Sequence, residues 1–540
     1  MKDPIFRICA ALSSISLLLA GCSQPESPPS SDSLAPVSGE GVSASALLNE
    51  EDELTAYDST ATLIVMDGNS AEITGNGAAV SPGLITITSA GTYVLSGSFN
   101  GQLLIDADKK DLVHLILNGV SIECDNSAAI FGSQSKKIII TLADNTVNSL
   151  SDGVSYVYDN AEDDEPNAAL FSKDDITLNG GGTLLVSGNY ADGIRSKDTL
   201  LIVSGIYGID AASDGIQGKD AVYIGKGSFV INAGNDAIKS SNSSDSEKGF
   251  VTIDGGTFEI ICGDDAIHAE TALTINSGEF LINACYEGLE GLTVEINDGL
   301  FSIISEDDGI NAAGGSSDTN PDFGGHGRFE GDRPSDSDRQ DFGGGFGGFG
   351  NGGRPDFDDG FGGGFGGFGN GGRPDFDDGF GGGFGGDMDS NENACITING
   401  GTIYVNAGGD GIDSNGYFYM NGGTVYVEGP ENNGNAALDY AYDAKISGGT
   451  LLAIGASGMA MGFGENSSQP SLFLRLREWQ TAGTEITLSD GTEVLFTYTS
   501  QKGFNSIVLS LPDLEKDVTY TLTCGSVTEE VTVFRNRTAR

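Results

Sequence analysis

Asp192-Gly193-Ile194 is the first copy of a three-residue phrase that recurs through the middle of the chain. The next copies, Asp214-Gly215-Ile216 and Asp236-Ala237-Ile238, follow at intervals of 22 residues. The later copies are Asp265-Ala266-Ile267, the variant Glu287-Gly288-Leu289, Asp308-Gly309-Ile310 and Asp410-Gly411-Ile412. Sequence periods of about 20 to 50 residues indicate solenoids or propellers, and this period is too short for a propeller blade or a helical repeat. The repeat therefore predicts a β-solenoid.

A second phrase, glycine followed by a strand-forming pair, keeps the same spacing. Its copies begin at Gly182, Gly227, Gly256, Gly278, Gly299, Gly401 and Gly423. Between the two phrases lie short β-branched and aromatic runs such as Ala221-Val-Tyr-Ile224, bounded by Gly, Asn, Asp or Ser. Three such runs fit in one coil, and stacked coils pair them in parallel at about 4.8 Å. This pattern predicts an all-β parallel β-helix, since the leucine-rich-repeat pattern is missing.

The N-terminus has the pattern of a lipoprotein signal. Met1-Lys2 and Arg7 precede a short apolar core, and residues 1–21 end at Leu19-Ala20-Gly21 before Cys22. The sequence predicts that Cys22 becomes a lipidated N-terminus, which anchors a secreted protein to the extracellular face of the membrane without spanning it. Residues 22–53 are rich in Ser, Pro and Glu and are predicted to form a flexible tether.

The remaining chain divides by composition. Residues 54–463 have the β-helix pattern, and residues 464–540, with the single Trp479, are predicted to form a C-terminal β cap or small β domain. Residues 313–392 interrupt the repeat with a Gly/Phe/Asp-rich insertion that contains two identical 19-residue units. Such a segment cannot bury a core and is predicted to be disordered. Removing it brings Asp308 and Asp410 into adjacent coils.

Charge and cysteine content narrow the classes of partner. The formal net charge is −52, from 78 acidic and 26 basic residues. This balance makes nucleic acid an improbable partner and divalent cations natural ones. After Cys9 and Cys22, five cysteines remain, of which Cys262 and Cys285 are 23 residues apart. They are expected to be neighbours in stacked coils, either as small buried residues or as a disulfide.

The residue after each isoleucine of the phrase should point outward in a common row. This row reads Arg195, Gln217, Lys239, His268, Glu290, Asn311 and Asp413. Cations stand near the early aspartates, so Asp192, Asp214 and Asp236 are expected to cap turns through backbone N–H groups. The later coils are expected to lack such partners, and closely spaced carboxylates repel one another.

A hard cation would resolve that repulsion, because Ca²⁺ accepts six to eight oxygen ligands in loose geometry. The candidate metal ligands are therefore the acidic residues from the fourth phrase onward. They are Asp264, Asp265, Glu287, Glu290, Asp307, Asp308, Asp410 and Asp413.

The chain resembles secreted bacterial carbohydrate-binding right-handed β-helix proteins, similar in architecture to calcium-dependent pectate lyases. The resemblance covers about Asp58 to Leu511. It rests on Gly91-Thr-Tyr-Val-Leu-Ser-Gly97, Leu115-Ile-Leu-Asn-Gly-Val120, Asn167-Ala-Ala-Leu-Phe-Ser-Lys-Asp-Asp175 and the run of Asp-Gly-Ile coils. It implies a right-handed coil, calcium held by coil aspartates, and binding of plant-type or acidic polysaccharides.

Three functions remain open at this stage. The first is a non-catalytic, surface-anchored protein that binds cellulosic or acidic polysaccharide, with Tyr286, Tyr417 and Tyr440 as candidate sugar-stacking residues. The second is a structural or adhesive cell-surface β-helix. The third is a calcium-dependent polysaccharide lyase, whose base would be Lys219, Lys239 or Lys248.

Overall fold

Three parallel sheets run the length of the solenoid, because each coil contributes one strand to each of them. The computed structural model describes residues 47–158, 160, 162–313 and 390–533. Consecutive coils pair in register: Ile194 with Ile216, Leu200 with Val222, and Ile206 with Ser228. These pairings, with a single short 3-10 helix among the described residues, confirm the predicted all-β, parallel β-helix fold class.

The first sheet contains the strands of the acidic phrase. Its strands are Ala78–Ser81, Leu84–Ile87, Gln102–Asp106, Ile130–Gln134, Ala168–Ser172, Asp192–Ser196, Ile216–Gly218, Ile238–Ser240, the starts of Ile267–Ile275 and Leu289–Ile296, Ile310–Ala312, Ile412–Ser414 and Leu438–Tyr440. The second sheet follows it in each coil. Its strands are the starts of Thr62–Gly68, Gly91–Asn100 and Leu112–Glu123, then Lys137–Leu142, Asp175–Gly180, Thr199–Ile202, Ala221–Ile224, Phe250–Ile253, the ends of Ile267–Ile275 and Leu289–Ile296, Cys395–Ile398, Tyr417–Met420 and Asp443–Ile446.

The third sheet completes each coil after the glycine phrase. Its strands are the ends of Thr62–Gly68, Gly91–Asn100 and Leu112–Glu123, then Val147–Ser151, Thr183–Gly188, Ile206–Ala211, Ser228–Ala233, Thr257–Ile261, Glu279–Cys285, Leu300–Ser305, Thr402–Ala407, Thr424–Glu428 and Thr450–Gly455. At the N-terminal end, Ser70–Thr74 pairs antiparallel with Thr62–Gly68, and Ala78–Ser81 pairs antiparallel with Leu84–Ile87. The glycine before this sheet has positive φ in most coils, for example 153° at Gly227 and 135° at Gly278, which explains why the phrase requires glycine.

The core is a set of side-chain stacks that continue from coil to coil. The isoleucine of each phrase points inward, and Ile194, Ile216 and Ile412 are fully buried. Five aromatic rings stack with centroids 4.6–5.0 Å apart, in the order Tyr207, Phe229, Phe258, Phe280 and Phe301. Their spacing matches the separation of hydrogen-bonded strands, so one aromatic position per coil fills the interior.

The N-terminal segment is part of the folded body. Glu50–Glu53 form a 3-10 helix, and the Asp52 side chain is fully buried. Its Oδ1 accepts hydrogen bonds from Lys137 Nζ at 2.6 Å and from Thr177 Oγ1 at 2.5 Å. Residues 47–53, which composition had assigned to the flexible tether, are therefore ordered, because a buried ion pair fixes them to the second sheet.

The C-terminal part both extends the solenoid and adds a small sheet. Leu472–Gln480 and Phe504–Ser510 continue the third sheet in antiparallel orientation beyond Thr450–Gly455. Glu485–Ser489, Val494–Thr499, Thr519–Cys524 and Val527–Thr532 form a separate four-stranded antiparallel sheet. Its buried residues Ile486, Leu488 and Leu522 share one hydrophobic cluster with Leu472 and Leu509 of the extended third sheet.

The Gly/Phe/Asp-rich insertion lies in sequence between the strands Ile310–Ala312 and Cys395–Ile398. The coil on either side remains in register, since Ile310 pairs with Ile412 and Thr293 with Cys395. Asp308 and Asp410 thus lie in adjacent coils. Residues 314–389, together with the predicted signal at 1–21, Cys22 and the tether up to residue 46, lie outside the described residues.

The described residues contain no helix that is long and apolar enough to cross a bilayer. The five cysteines among the described residues are free thiols, and Cys262 and Cys285 are buried. Of the two alternatives for this pair, the structure has the small buried residues in neighbouring coils and not the disulfide.

Candidate functional site

The aspartate of each phrase lies at the corner between the third and first sheets. Asp192 Oδ1 accepts a hydrogen bond from the backbone N–H of Asp214, and Asp214 Oδ1 accepts one from Asp236, both at 3.2 Å. Asp236 Oδ1 does the same for the N–H of Asp265 at 2.9 Å. The capping role predicted for the first three aspartates is confirmed, and the N–H that each one caps belongs to the next coil.

The second residue of the phrase must be small because the next coil passes close to it. A Cβ on Gly193 would lie 2.7 Å from Gly215 O, and one on Gly215 would lie 2.6 Å from Ala237 O. Ala237 and Ala266 are accommodated at this position and are fully buried. The phrase thus combines a carboxylate cap, a close approach of two backbones and an inward isoleucine.

The residue in the outward row determines whether the second carboxylate oxygen of each aspartate forms an ion pair with a basic side chain. Register pairing stacks Gln217 on Lys239, His268 on Glu290, and Asn311 on Asp413. In the early coils, Arg195 Nη1 lies 2.7 Å from Asp192 Oδ2, and Lys239 forms an ion pair with Asp236. Each of these basic residues neutralises the aspartate three positions before it.

His268 continues this compensation one coil further than expected. Its Nδ1 lies 2.9 Å from Asp265 Oδ2 and also contacts Glu290. Burial alone would lower the pKa of His268, but the bonds to Asp265, Glu270 and Glu290 raise it to about 12. The expectation that every acid from Asp265 onward lacks a positive partner is therefore wrong, since a protonated His268 serves Asp265 and Glu290.

Among the residues that the structure describes, three carboxylates beyond His268 have no such partner. Asp308, Asp410 and Asp413 each place an oxygen within 4.8 Å of the others, and we call them the acidic cluster. The first two still cap backbone N–H groups, Asp308 that of Asp410 at 2.6 Å and Asp410 that of Ala436. At the position where earlier coils have Arg, Lys or His, these coils have Asn311 and Asp413.

The electrostatics of the acidic cluster follow from burial and mutual repulsion. Burial, then the charges of Asp413 and Asp410, raise the pKa of Asp308 to about 9. Burial is also the largest cause that raises the pKa of Asp410 to about 7 and that of Asp413 to about 6. The three carboxylates therefore cannot all be ionised near neutral pH unless a cation joins them.

The residue before Asp413 in the outward row, Asn311, carries a buried amide oxygen. Asn311 is 7% exposed, and its Nδ2 donates to Glu287 Oε2 at 2.8 Å. Its Oδ1 is buried and has no hydrogen-bond partner, although Asn311 is paired in register with Asp413. The three carboxylates form an all-oxygen donor set, which suits a hard divalent cation, and Asn311 carries an unpartnered oxygen in the residue that pairs with Asp413.

The other predicted ligands fall outside this cluster. Asp264 and Asp265 group with Asp236, and Asp265 and Glu290 group with His268. Glu287 is bonded to Asn311, and burial is the first cause that raises its pKa to about 7. Asp307 occupies the corner position just before Asp308, where its N–H donates to Tyr286 O. Of the eight predicted ligands, Asp265 and Glu290 thus have His268 as a positive partner, whereas Asp308, Asp410 and Asp413 form the acidic cluster.

The three candidate sugar-stacking tyrosines lie in different surroundings. Tyr286 is 37% exposed and is the corner residue between Asp264 and Asp307. Tyr417 stacks on Tyr442 with ring centroids 5.3 Å apart, on the outer surface of the second sheet. Tyr440 is half-buried, and its hydroxyl donates to Gly462 O at 2.5 Å. Tyr286 is the one next to the acidic corner.

Asp439 was not foreseen. It follows Asp413 in the outward row, and its charge contributes to the raised pKa of Asp413. The phrase in its coil reads Ala436-Ala437-Leu438 and has no acid, so the repeat did not reveal it. Aligning that coil by its inward leucine would have placed Asp439 in the row.

Comparisons with known proteins found a family model and a relative that are both described as carbohydrate-binding. Residues 81–322 match a family model described as "Carbohydrate-binding domain-containing protein". A protein of the same description from Acetivibrio thermocellus is 39% identical over 131 residues, or 24% of this chain. The match spans 46% of the length of that relative.

A solved structure was also found. It is titled as the polysaccharide lyase-like protein from C. thermocellum, gadolinium derivative, and is 33% identical to this chain. The alignment covers 44% of this chain and 93% of the other, with a TM-score of 0.40.

Proposed function

We propose that the protein is a surface-anchored, calcium-binding protein that recognises polysaccharide, cellulosic or acidic, without catalysing its breakdown. The family match over residues 81–322 supports carbohydrate recognition. The observation that carries the calcium assignment is the acidic cluster, in which three partly buried carboxylates converge without a basic partner in the described parts of the chain.

The residues present fit Ca²⁺. Asp308, Asp410 and Asp413 would supply carboxylate oxygens, and Asn311 would supply its free amide oxygen. Ca²⁺ takes six to eight oxygens, so water or a bound glycan would complete the shell. A uronate carboxylate could then reach an otherwise repulsive acidic surface, with the exposed ring of Tyr286 nearby for stacking.

Two of the three lysines considered as the base of a lyase are held in ion pairs. Lys239 is held by Asp236, and Lys248 Nζ lies 2.7 Å from Asp220 Oδ2. Both precede the acidic cluster, in whose coils Asn311 and Asp413 occupy the row position that Lys239 has in its own coil. This arrangement supports binding over β-elimination, which needs a base beside the metal. A rise in absorbance from unsaturated products during incubation with polygalacturonate and Ca²⁺ would reverse this choice.

Attachment to the membrane is a separate element of the proposal. Lipid-modified Cys22 would hold the domain at the extracellular face of the membrane. Radiolabelled fatty acid should enter the wild-type chain but not Cys22→Ala, which should appear in the medium. Equal labelling of both chains would show that Cys22 is not the acceptor.

Affinity electrophoresis through gels that contain single polysaccharides tests the function directly. Residues 23–540 should be retarded by at least one glycan, and binding of acidic glycans should weaken when a chelator replaces Ca²⁺. The double variant Asp308→Asn/Asp413→Asn should lose this calcium dependence. Unchanged mobility in every glycan gel would instead favour the structural or adhesive function.

A further inference from the structure

A cleft of about 1210 Å³ lies at the N-terminal end of the first sheet. Phe131, one of its lining residues, belongs to the same outward row as the acidic cluster, since it pairs with Phe171 and Phe171 pairs with Arg195. The row then takes about eight coil steps from Phe131 to Asp413, or roughly 38 Å at 4.8 Å per step. The cleft and the acidic cluster are therefore separate places on one face.

Two parts of the chain form the cleft. The corner turns after Gly91–Asn100 and Leu112–Glu123 contribute Asn100 and Asn126, while the loop before Pro166 contributes Tyr158. Val157 N–H donates to Asn126 O, and Tyr158 O–H donates to Pro166 O, both at 2.9 Å. These bonds fix the loop against the corner turns and pre-shape the cleft.

Ion pairs and ring stacking hold the same loop at its other contacts. Glu165 pairs with Lys173 at 3.7 Å and with Lys197. Tyr156, two residues before Tyr158, stacks on Tyr190 with ring centroids 4.3 Å apart. Because the surrounding structure already fixes these groups, a ligand would bind without the entropic cost of ordering the loop.

The lining has the chemistry of a sugar site. Phe131 and Tyr158 are half-buried, so part of each ring faces the cleft and can stack on a pyranose. The amides of Asn100 and Asn126 offer donors and acceptors to hydroxyl groups, and Gln102, whose Nε2 donates to Ser127 and Ala128, offers its amide oxygen. The volume exceeds the roughly 300–1,000 Å³ usual for small-molecule pockets, which favours a segment of a glycan chain over a single sugar.

Charge selects the class of glycan. The lining includes six carboxylates, Glu123, Asp125, Glu162, Asp163, Asp164 and Glu165, against one lysine, Lys173. Such a cleft would repel a uronate. We infer that the cleft binds an uncharged polysaccharide chain, independently of calcium, as a glycan site distinct from the acidic cluster. The inference rests on the proposed carbohydrate-binding function and assigns its uncharged ligand to this cleft.

The extent of the family match agrees with this assignment. The matched residues 81–322 include the cleft lining from Pro82 to Lys173. They exclude Asp410 and Asp413, which complete the acidic cluster. The matched region therefore contains every cleft-lining residue except Asn69, but only part of the acidic cluster.

Isothermal titration of residues 23–540 in chelator tests the inference, with a cello-oligosaccharide and an oligogalacturonate as probes. The wild type should bind the first and not the second. Tyr158→Ala should weaken binding at least about tenfold through loss of the stacking ring. Asn126→Ala should weaken it several-fold while leaving the loop in place, since the loop is held by the backbone oxygen of Asn126.

Tyr442→Ala is the matched control, because it removes a ring that is 48% exposed in the turn before Asp443–Ile446, away from the cleft. Its affinity for the cello-oligosaccharide should equal that of the wild type. Wild-type affinity in both cleft variants would overturn the assignment of the cleft and leave the proposed function intact. Failure of the wild type to bind any glycan, with or without Ca²⁺, would overturn the proposed function and the inference with it.

Discussion

Replacing Asp308 by Asn isolates the charge of the acidic cluster from its structural role. Asp308 Oδ1 accepts the backbone N–H of Asp410 at 2.6 Å, and an asparagine retains an oxygen that can keep this bond. The substitution removes one negative charge from a group of three whose oxygens lie within 4.8 Å of one another. The metal-free protein should therefore become more stable, whereas most substitutions of a buried capping residue destabilise.

The size of the effect follows from Coulomb's law. Two ionised carboxylates at this distance repel by about 3 kcal/mol at an effective dielectric constant near 20. Protonation relieves part of this repulsion, because the pKa of Asp308 is about 9. We therefore expect Asp308→Asn to add about 1–3 kcal/mol to the free energy of unfolding at about pH 8 in chelator, or roughly 1–3 °C in Tm for a folded body of this size.

Calcium should reverse the order of the two proteins. At a concentration of 100 times Kd, a bound ion stabilises the wild type by about 2.7 kcal/mol, and the variant should gain little. Differential scanning calorimetry in chelator and in millimolar Ca²⁺ measures both shifts. The control Asp192→Asn loses its ion pair with Arg195, so it should melt lower in both media and keep the calcium shift. A less stable Asp308→Asn protein in chelator, with an undiminished calcium shift, would refute the reasoning.

Four further outcomes follow from the same structure. Carboxyl groups whose pKa is raised by folding bind more protons in the native state than in the unfolded state. Because the pKa of Asp308 in the folded protein is about 9, the Tm of the protein in chelator should fall as pH rises from about 4 to about 9. Asn311→Lys places a cation three residues after Asp308, which is the spacing of Lys239 from Asp236. This variant should raise Tm in chelator and abolish the calcium shift. Lys137→Met leaves the buried Asp52 without its ion pair and should cost about 3–5 kcal/mol in urea unfolding. Phe258→Ala empties the centre of the aromatic stack and should cost about 3–5 kcal/mol in the same assay.

The repeat predicted the fold because it records the constraints that each coil shares. The inward Ile194 and Ile216, the small residue before each and the corner aspartate recur for reasons that hold at every coil. The outward row could also be read from the sequence, since it follows each isoleucine by one position. Its register pairing, from Arg195 through Gln217 to Lys239, matches the predicted order.

The sequence was less informative where partners come from different coils. The two carboxylates at His268 belong to its own coil and the next one, and only the stacking of coils shows that one histidine serves both. The cleft escaped prediction for a related reason. Tyr158 lies in an irregular loop, and its proximity to Asn126 depends on contacts between loop and corner that no repeat encodes.

The position of the insertion gives the acidic cluster a structural meaning. In a solenoid each coil contacts only its neighbours, so a long excursion weakens the joint it interrupts through the entropy of closing a longer loop. Asp308 precedes the insertion and Asp410 follows it, and the two lie in adjacent coils although they are 102 residues apart in sequence. An ion bound by Asp308, Asp410 and Asp413 would join the coils on both sides of this interruption. The same carboxylates without an ion repel one another across it, so calcium would act where the solenoid has the least support from local sequence.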